Sequence, residues 1–312
     1  MYLVILLYAL FASVFTISKT GLQYAQPFFF VGTRMLCAGI LMLAYQFFRA
    51  RDQFTISKKD LFLFVGLGFF SIYLTNILEF WGLKYLTTFK TCFIYSLSPF
   101  VSALLSYLLF SEVMTGKKWL GLLIGFSGFI PILLTTTQEE ELTGHFFILS
   151  WAEIAVIIAA ISSVYGWILL KQLVADRGYS PMMANGVSML IGGSFALIHS
   201  WGVESWSPAP YNEFFPFVEC AILLIIVSNL ICYNLYGFLL RKYSPTFMSF
   251  AGFTTPFFTA LFGWFYLGET VSLPFFISAG IVLIGLFVFY LEELKKPIVV
   301  QTPEPSAELI NG

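Results

Sequence analysis

The chain has 312 residues, of which 59% are hydrophobic and 11% charged. A soluble domain carries about 25% charged residues, so this much apolar surface calls for lipid as the solvent. The net charge of −1 provides no basic footprint for nucleic acid.

A bilayer core takes about 20 apolar residues per helix, and such stretches predict ten spans. They fall near residues 2–18, 28–48, 61–82, 88–110, 119–135, 151–170, 181–200, 217–240, 246–267 and 274–291. The first apolar run starts at Tyr2 with no basic residue before it, which reads as a span and not as a cleavable leader. The second span carries Arg34, about 6 Å from its middle at 1.5 Å per residue. A mid-membrane arginine is costly and must face a polar cavity or a partner. It is read either as a contact for a substrate carboxylate or phosphate, or as a fixed bond to helix-end carbonyls or Glu79. The third span holds Tyr73, Asn76 and Glu79, and the fourth holds Lys90, Tyr95 and Pro99 and ends at Glu112. Glu79 and Lys90 fall at the outer ends of their helices, as an outer gate or a plain ion pair. Gly121, Gly125 and Gly128 make a small-residue face on the fifth span, suited to close helix packing or a homodimer seam.

An acidic run, Glu139-Glu140-Glu141, reads as an outer loop before the sixth span, which carries Trp167. The eighth span carries Asn229, Tyr233 and Asn234, and the ninth carries Pro256 and ends at Glu269. Glu112 and Glu269 are read as caps of helix–loop junctions. Buried amides must find partners, so Asn76, Asn229 and Asn234 either line a cavity or bond helix to helix. Tyr73, Tyr95, Trp167 and Tyr233 either stack on a flat substrate or pack the bundle. Pro99 and Pro256 interrupt backbone bonding, as hinges at a site or as static kinks. The cysteines Cys37, Cys92, Cys220 and Cys232 form no CxxC pair and read as small buried groups. Residues 297–312 read as a disordered cytoplasmic tail.

Loops rich in Lys and Arg stay in the cytoplasm. The ten-span map puts twelve basic residues on the side of the termini and three, Lys19, Lys84 and Lys90, on the other. Both termini are therefore expected in the cytoplasm, in a cell inner membrane.

The chain also repeats itself. Ser98-Pro99-Phe100 precedes Glu112 with the spacing by which Thr255-Pro256-Phe257 precedes Glu269. Asn76 matches Asn234, Lys84-Tyr85 matches Lys242-Tyr243, Gly128 matches Gly285, and Pro27 and Gly39 match Pro181 and Gly193. The order is kept across both halves, so residues 2–135 and 151–291 are two copies of one five-helix unit. An odd number of spans inverts the second copy, an arrangement that places a binding site between the halves near mid-membrane.

The stretches YALFASVFTISK, PFFFVGTRMLCAGILML, LKYLTTFKTCFIYSLSPFVSALLSYLLFSEVMTGKKWLGLLIGFSGF and RKYSPTFMSFAGFTTPFFTALFGWFYLGETVSLPFFISAGIVLIG resemble the EamA family of the drug/metabolite transporter superfamily. The resemblance covers nearly the whole chain. It implies ten spans as two inverted EamA repeats and a central cavity, with helices five and ten away from that cavity. Relatives move amino acids and other metabolites, and some in intracellular bacteria take up S-adenosylmethionine.

There is no P-loop, no HExxH and no cluster at metal-ligand spacing, so no cofactor, metal or ATP-driven step is expected. The chain reads as a non-enzymatic secondary transporter for a small organic metabolite such as an amino acid or nucleoside-like compound, with exchange as one mode. S-adenosylmethionine/S-adenosylhomocysteine transport is the narrower alternative. A non-transporting membrane subunit or membrane enzyme is the alternative of another class. The candidate substrate contacts are Arg34, Asn76, Glu79, Asn229, Asn234, Tyr95 and Trp167, with Pro99, Pro256 and Lys90 as candidate gating residues.

Overall fold

The computed structural model describes residues 2–49, 55–110, 114–243 and 245–290. Glu112 and the expected tail at 297–312 lie outside the described residues. The fold is all-α apart from a small hairpin, His145–Phe146 with Leu149–Ser150. Among the described residues, nine helices are long and apolar enough to cross a bilayer. They are α1 Tyr2–Gly21, α2 Pro27–Arg49, α3 Leu61–Tyr85, α4 Thr88–Leu108, α5 Gly116–Leu133, α6 Trp151–Asp176, α7 Pro181–Val203, α8 Phe214–Leu239 and a last helix, Leu273–Tyr290. Before that last helix, α9 consists of two shorter pieces, Pro245–Ala251 and Thr255–Leu267, joined by the 3-10 turn Gly252–Thr254. The last helix is α10.

Successive loops cluster at alternate ends. At the end bearing the N-terminus, the Tyr179 hydroxyl donates to Asp60 (2.9 Å) and accepts from the Ser57 N–H, and Arg241 donates to the Tyr179 carbonyl. At the far end, the Gln26 N–H donates to the Pro210 carbonyl (2.8 Å). There Lys19 caps the carbonyls of Leu83, Lys84 and Leu86, all within 3.0 Å.

The two halves deviate from regular helix at matching places. In α3, residues Gly68–Leu74 are π-helical, and in α8 so are Ile225–Cys232. A π turn misaligns its carbonyls, and in lipid each must find a donor inside the protein. Asn76 supplies it in α3, donating to Ser71 O (3.1 Å) and Ile72 O (2.9 Å). Asn234 supplies it in α8, donating to Asn229 O (3.2 Å) and Leu230 O (3.0 Å).

α4 and α9 are both interrupted. α4 consists of Thr88–Tyr95 and Ser98–Phe110. Proline has no N–H and clashes with the preceding turn, so Pro99 and Pro256 each open the second piece of their helix as its second residue. The Tyr95 carbonyl, which Pro99 cannot bond, accepts the Ser98 hydroxyl. These breaks fall where Pro99 and Pro256 were expected to interrupt backbone bonding, and α3 runs to Tyr85, past the expected 82.

Packing repeats across the halves as well. α2 packs on α7 and α5 on α10, each helix against its own counterpart, while α1 packs on α8 and α9 as α6 packs on α3 and α4. Glycines set the two self-pairings. A Cβ at Gly285 would lie 2.4 Å from the Gly125 nitrogen, one at Gly128 2.8 Å from the Val282 nitrogen, and one at Gly39 2.9 Å from the Gly186 carbonyl oxygen. Gly121 and Gly128 thus abut α10 of the same chain, and a Cβ at Gly125 would meet the Phe100 ring of α4. The face therefore serves close packing within the chain.

Candidate functional site

A cavity lies between the halves, holding about 880 Å³ of space between atoms, part of it continuous with solvent. α1, α2, α3 and α4 contribute from the first half, and α6, α8 and α9 from the second. No lining residue comes from α5 or α10, in line with the resemblance.

One wall is polar. Arg34 is 2% exposed, and its Nη2 donates to Asn76 Oδ1 at 2.6 Å. Its guanidinium lies over the Phe80 ring at 4.6 Å. Arg34 Nε and Nη1 have no hydrogen-bond partner among the described residues. A buried donor left unpaired costs about 1–3 kcal/mol, so the wall carries unspent donor capacity. Asn76 is held in turn by the π-turn carbonyls. The chain of cause therefore runs from the π segment to Asn76 and from Asn76 to the orientation of Arg34. Glu79 sits one turn beyond Asn76 on α3 and accepts the Tyr95 hydroxyl at 2.7 Å. Arg34 and Glu79 both line the cavity. Glu79 lies six residues from the end of α3 at Tyr85, about 9 Å deep at 1.5 Å per residue. That is deeper than the expected position at the helix end.

Aromatic rings adjoin this polar cluster, and Asn76 Nδ2 donates to the Tyr233 hydroxyl at 3.4 Å. Trp167 lies 4.1 Å from the Tyr236 ring and 5.3 Å from the Tyr233 ring, centroid to centroid. Phe11 meets both tyrosines edge-on, and Phe15 meets Tyr95 at 5.8 Å. All of these line the cavity, as do Ser96, Ser98, Gly252 and Thr255 at the breaks of α4 and α9.

Of the sequence candidates, Arg34, Asn76, Glu79, Tyr95 and Trp167 converge here, and Pro99 and Pro256 border the cavity through the residues before them. Three others do not converge. Asn229 is fully buried against Met35 Sδ at 3.1 Å and Met189 Sδ at 3.7 Å. Asn234 holds its own π turn and receives Asn185 (3.4 Å). Both belong to interhelical packing outside the cavity, as does Tyr73, which bonds His199 (3.1 Å).

Lys90 is the clearest correction. It pairs not with Glu79 but with Glu140 (2.9 Å) and Glu153 (2.8 Å), and it also donates to the Thr135 carbonyl. The loop carrying the acidic run folds inward, so Glu140 is buried and accepts the Ser150 hydroxyl at 2.8 Å. Glu269, by contrast, acts as the expected cap, accepting the Thr88 N–H (2.9 Å) and hydroxyl (2.6 Å) at the start of α4.

Sequence reasoning missed Tyr8, Phe11, Phe15, Cys92, Ser163, Ser228 and Tyr236 on the cavity wall. The isolated small polar residues Ser163 and Ser228 are the signal that could have found the face. The apolar ones carried none.

Matched halves, helices broken at equivalent points and a cavity between them define the secondary-transporter class of membrane protein. The sequence profile of the EamA-like transporter family matches residues 1–134 and 150–291, and the chain belongs to that family. It is 36% identical over 294 residues to the S-adenosylmethionine/S-adenosylhomocysteine transporter of Chlamydia muridarum, covering 94% of this chain and 92% of that one. The protein of the same description from Chlamydia trachomatis serovar L2 is 36% identical over 288 residues, covering 92% and 88%. The uncharacterized inner membrane transporter YedA of Escherichia coli K12 is 23% identical over 304 residues, covering 94% and 93%. A solved crystal structure shares the fold with a TM-score of 0.66 at 15% identity, covering 95% and 97% of the two chains.

Proposed function

We propose that this chain carries S-adenosylmethionine inward in exchange for S-adenosylhomocysteine across the inner membrane, with both termini cytoplasmic. The observation that carries the proposal is the 36% identity, end to end, with the Chlamydia muridarum transporter of that description. The chemistry of the cavity supports it. Adenine is a flat π system that stacks on aromatic side chains. A sulfonium is a cation, and aromatic faces attract cations; Trp167, Tyr233 and Tyr236 offer such faces. The two ligands differ by a methyl group and one positive charge, so a cavity that takes one takes the other, and the concentration gradients of the pair can drive exchange. Pro99 and Pro256, at equivalent breaks beside the cavity, are the hinges of this scheme.

The test is uptake of labelled S-adenosylmethionine into liposomes containing the purified protein. Saturable uptake blocked by S-adenosylhomocysteine is expected. Absence of such uptake, with uptake of another labelled metabolite by the same preparation, refutes it. The depth of Glu79 in the cavity favours a second reading, a proton-coupled permease for an amino acid. Accumulation driven by a pH gradient into empty vesicles would select that reading.

A further inference from the structure

We infer that Arg34 and Glu79 form a reader for an α-amino acid headgroup, carboxylate on Arg34 and ammonium beside Glu79, built into the first half alone. The inference deepens the substrate proposal and rests on it for the choice of probes.

A guanidinium has five N–H donors and two edges that can fork onto a carboxylate, both sharing Nη2. Asn76 Oδ1 takes one Nη2 hydrogen at 2.6 Å. The other Nη2 hydrogen and its neighbouring nitrogen leave one forked edge complete, and Nε and Nη1 have no hydrogen-bond partner among the described residues. A carboxylate at the cavity wall supplies the missing acceptors. Glu79 lies one turn from Asn76, about 4.5 Å along the helix. Its Oε2 holds the Tyr95 hydroxyl, and a carboxylate keeps acceptor sites beyond one bond. Opposite charges on one cavity wall, linked through Asn76, match a dipolar headgroup. Arg34 and Glu79 are the basic and acidic side chains among the described cavity-lining residues, and the Tyr233 hydroxyl adjoins them through Asn76 (3.4 Å), so the headgroup has one place to go and the adenine lies against Trp167 and Tyr236.

The second half shows what the same frame does without a ligand to read. Asn234 holds its π turn as Asn76 does, yet its Oδ1 receives the neutral Asn185 amide. Packing alone therefore needs no arginine at this point of the frame.

Competition against labelled S-adenosylmethionine uptake in liposomes tests this. With the wild-type protein, S-adenosylhomocysteine should compete about 100-fold better than 5′-methylthioadenosine, which keeps the adenine and the thioether but lacks the headgroup. Equal competition by the two overturns the inference without any variant having to fold. Arg34→Gln should weaken S-adenosylhomocysteine and leave 5′-methylthioadenosine unchanged, bringing the ratio to within about 5-fold, because the forked contact is lost. A monodisperse Arg34→Gln protein that keeps the wild-type ratio also overturns it. Should no S-adenosyl compound bind, the substrate proposal falls by itself. A panel of free α-amino acids and their amides then decides: uptake of an amino acid that its amide cannot block upholds the reader, and no amino acid uptake overturns it.

Discussion

The paired asparagines permit an internally controlled experiment, because Asn76 and Asn234 hold equivalent π turns while Asn76 alone hydrogen-bonds the side chains of the cavity residues Arg34 and Tyr233. Each amide spans two π-turn carbonyls at 2.9–3.2 Å. Side-chain hydrogen bonds in membrane proteins average about 0.6 kcal/mol, so loss of the two π-turn bonds at either position should cost about 1 kcal/mol of stability and lower Tm in both variants. Asn76→Ala loses in addition the bond to Arg34. A hydrogen bond to a charged group contributes about 1.5–3 kcal/mol, and 1.4 kcal/mol is tenfold in affinity. If that bond holds Arg34 in its binding orientation, Asn76→Ala should raise the KM for S-adenosylmethionine uptake by about 10- to 100-fold, while Asn234→Ala stays within a few-fold of wild type. Asn76→Asp adds a sign test. It keeps an acceptor for Arg34 and adds a competing carboxylate, so uptake should fall although the Arg34 contact persists. The measurements are Tm of the purified variants and initial uptake rates at matched protein density. Equal losses of transport in Asn76→Ala and Asn234→Ala would refute the positioning role of Asn76, as would normal KM in Asn76→Ala.

Exchange predicts that vesicles preloaded with unlabelled S-adenosylhomocysteine take up labelled S-adenosylmethionine faster than empty ones, with a pH gradient having less effect. A pH-driven gain in empty vesicles that Glu79→Gln removes would make Glu79 a proton-coupling site instead. Lys90→Met leaves Glu140 and Glu153 buried without their cation, a loss of about 3–5 kcal/mol, and should deplete folded protein. Adding Glu140→Gln and Glu153→Gln should restore both folding and uptake, and a folded but inactive triple variant would make Lys90 a gating residue after all. Reporter tags at Lys58 and after Tyr290 should be accessible from the cytoplasm and one at Ser207 from outside. A tag after Tyr290 found outside would contradict an even number of spans.

The frame was legible because its causes are local. Apolar length sets the spans, glycine spacing sets the close pairs, and proline sets the breaks. The charged pole was legible because a mid-span arginine has few places to go. The aromatic wall was not legible, since Tyr236 and Phe11 look in sequence like the many other aromatics of a chain with 37 Phe and 16 Tyr. The partners of Lys90 were hidden for another reason. An acidic run in a loop reads as solvated, and nothing in its composition tells that a helical turn at Gln138–Glu141 and a hairpin fold it back into the bundle. The π segments were invisible too, although the asparagine that repairs each one was a visible pair.

The repeat alignment also shows how a nearly symmetric frame makes an oriented site. A ligand with a charged head and a flat tail cannot be met by the same residue from both halves, so matched positions facing it must diverge. Offsets of 154 to 158 residues align Arg34 with Ser188, Glu79 with Gly237 and Thr75 with Tyr233. Each charged residue of the polar cluster aligns with a small residue that lies outside the cavity lining, and the aromatic Tyr233 aligns with the small polar Thr75. Positions that carry the mechanics behave in the opposite way. Asn76 and Asn234, Pro99 and Pro256, and Gly128 and Gly285 keep their identity and their bonding or packing role. Identity is thus retained where the two halves must be able to exchange shapes, and lost where the ligand must be held one way round in both.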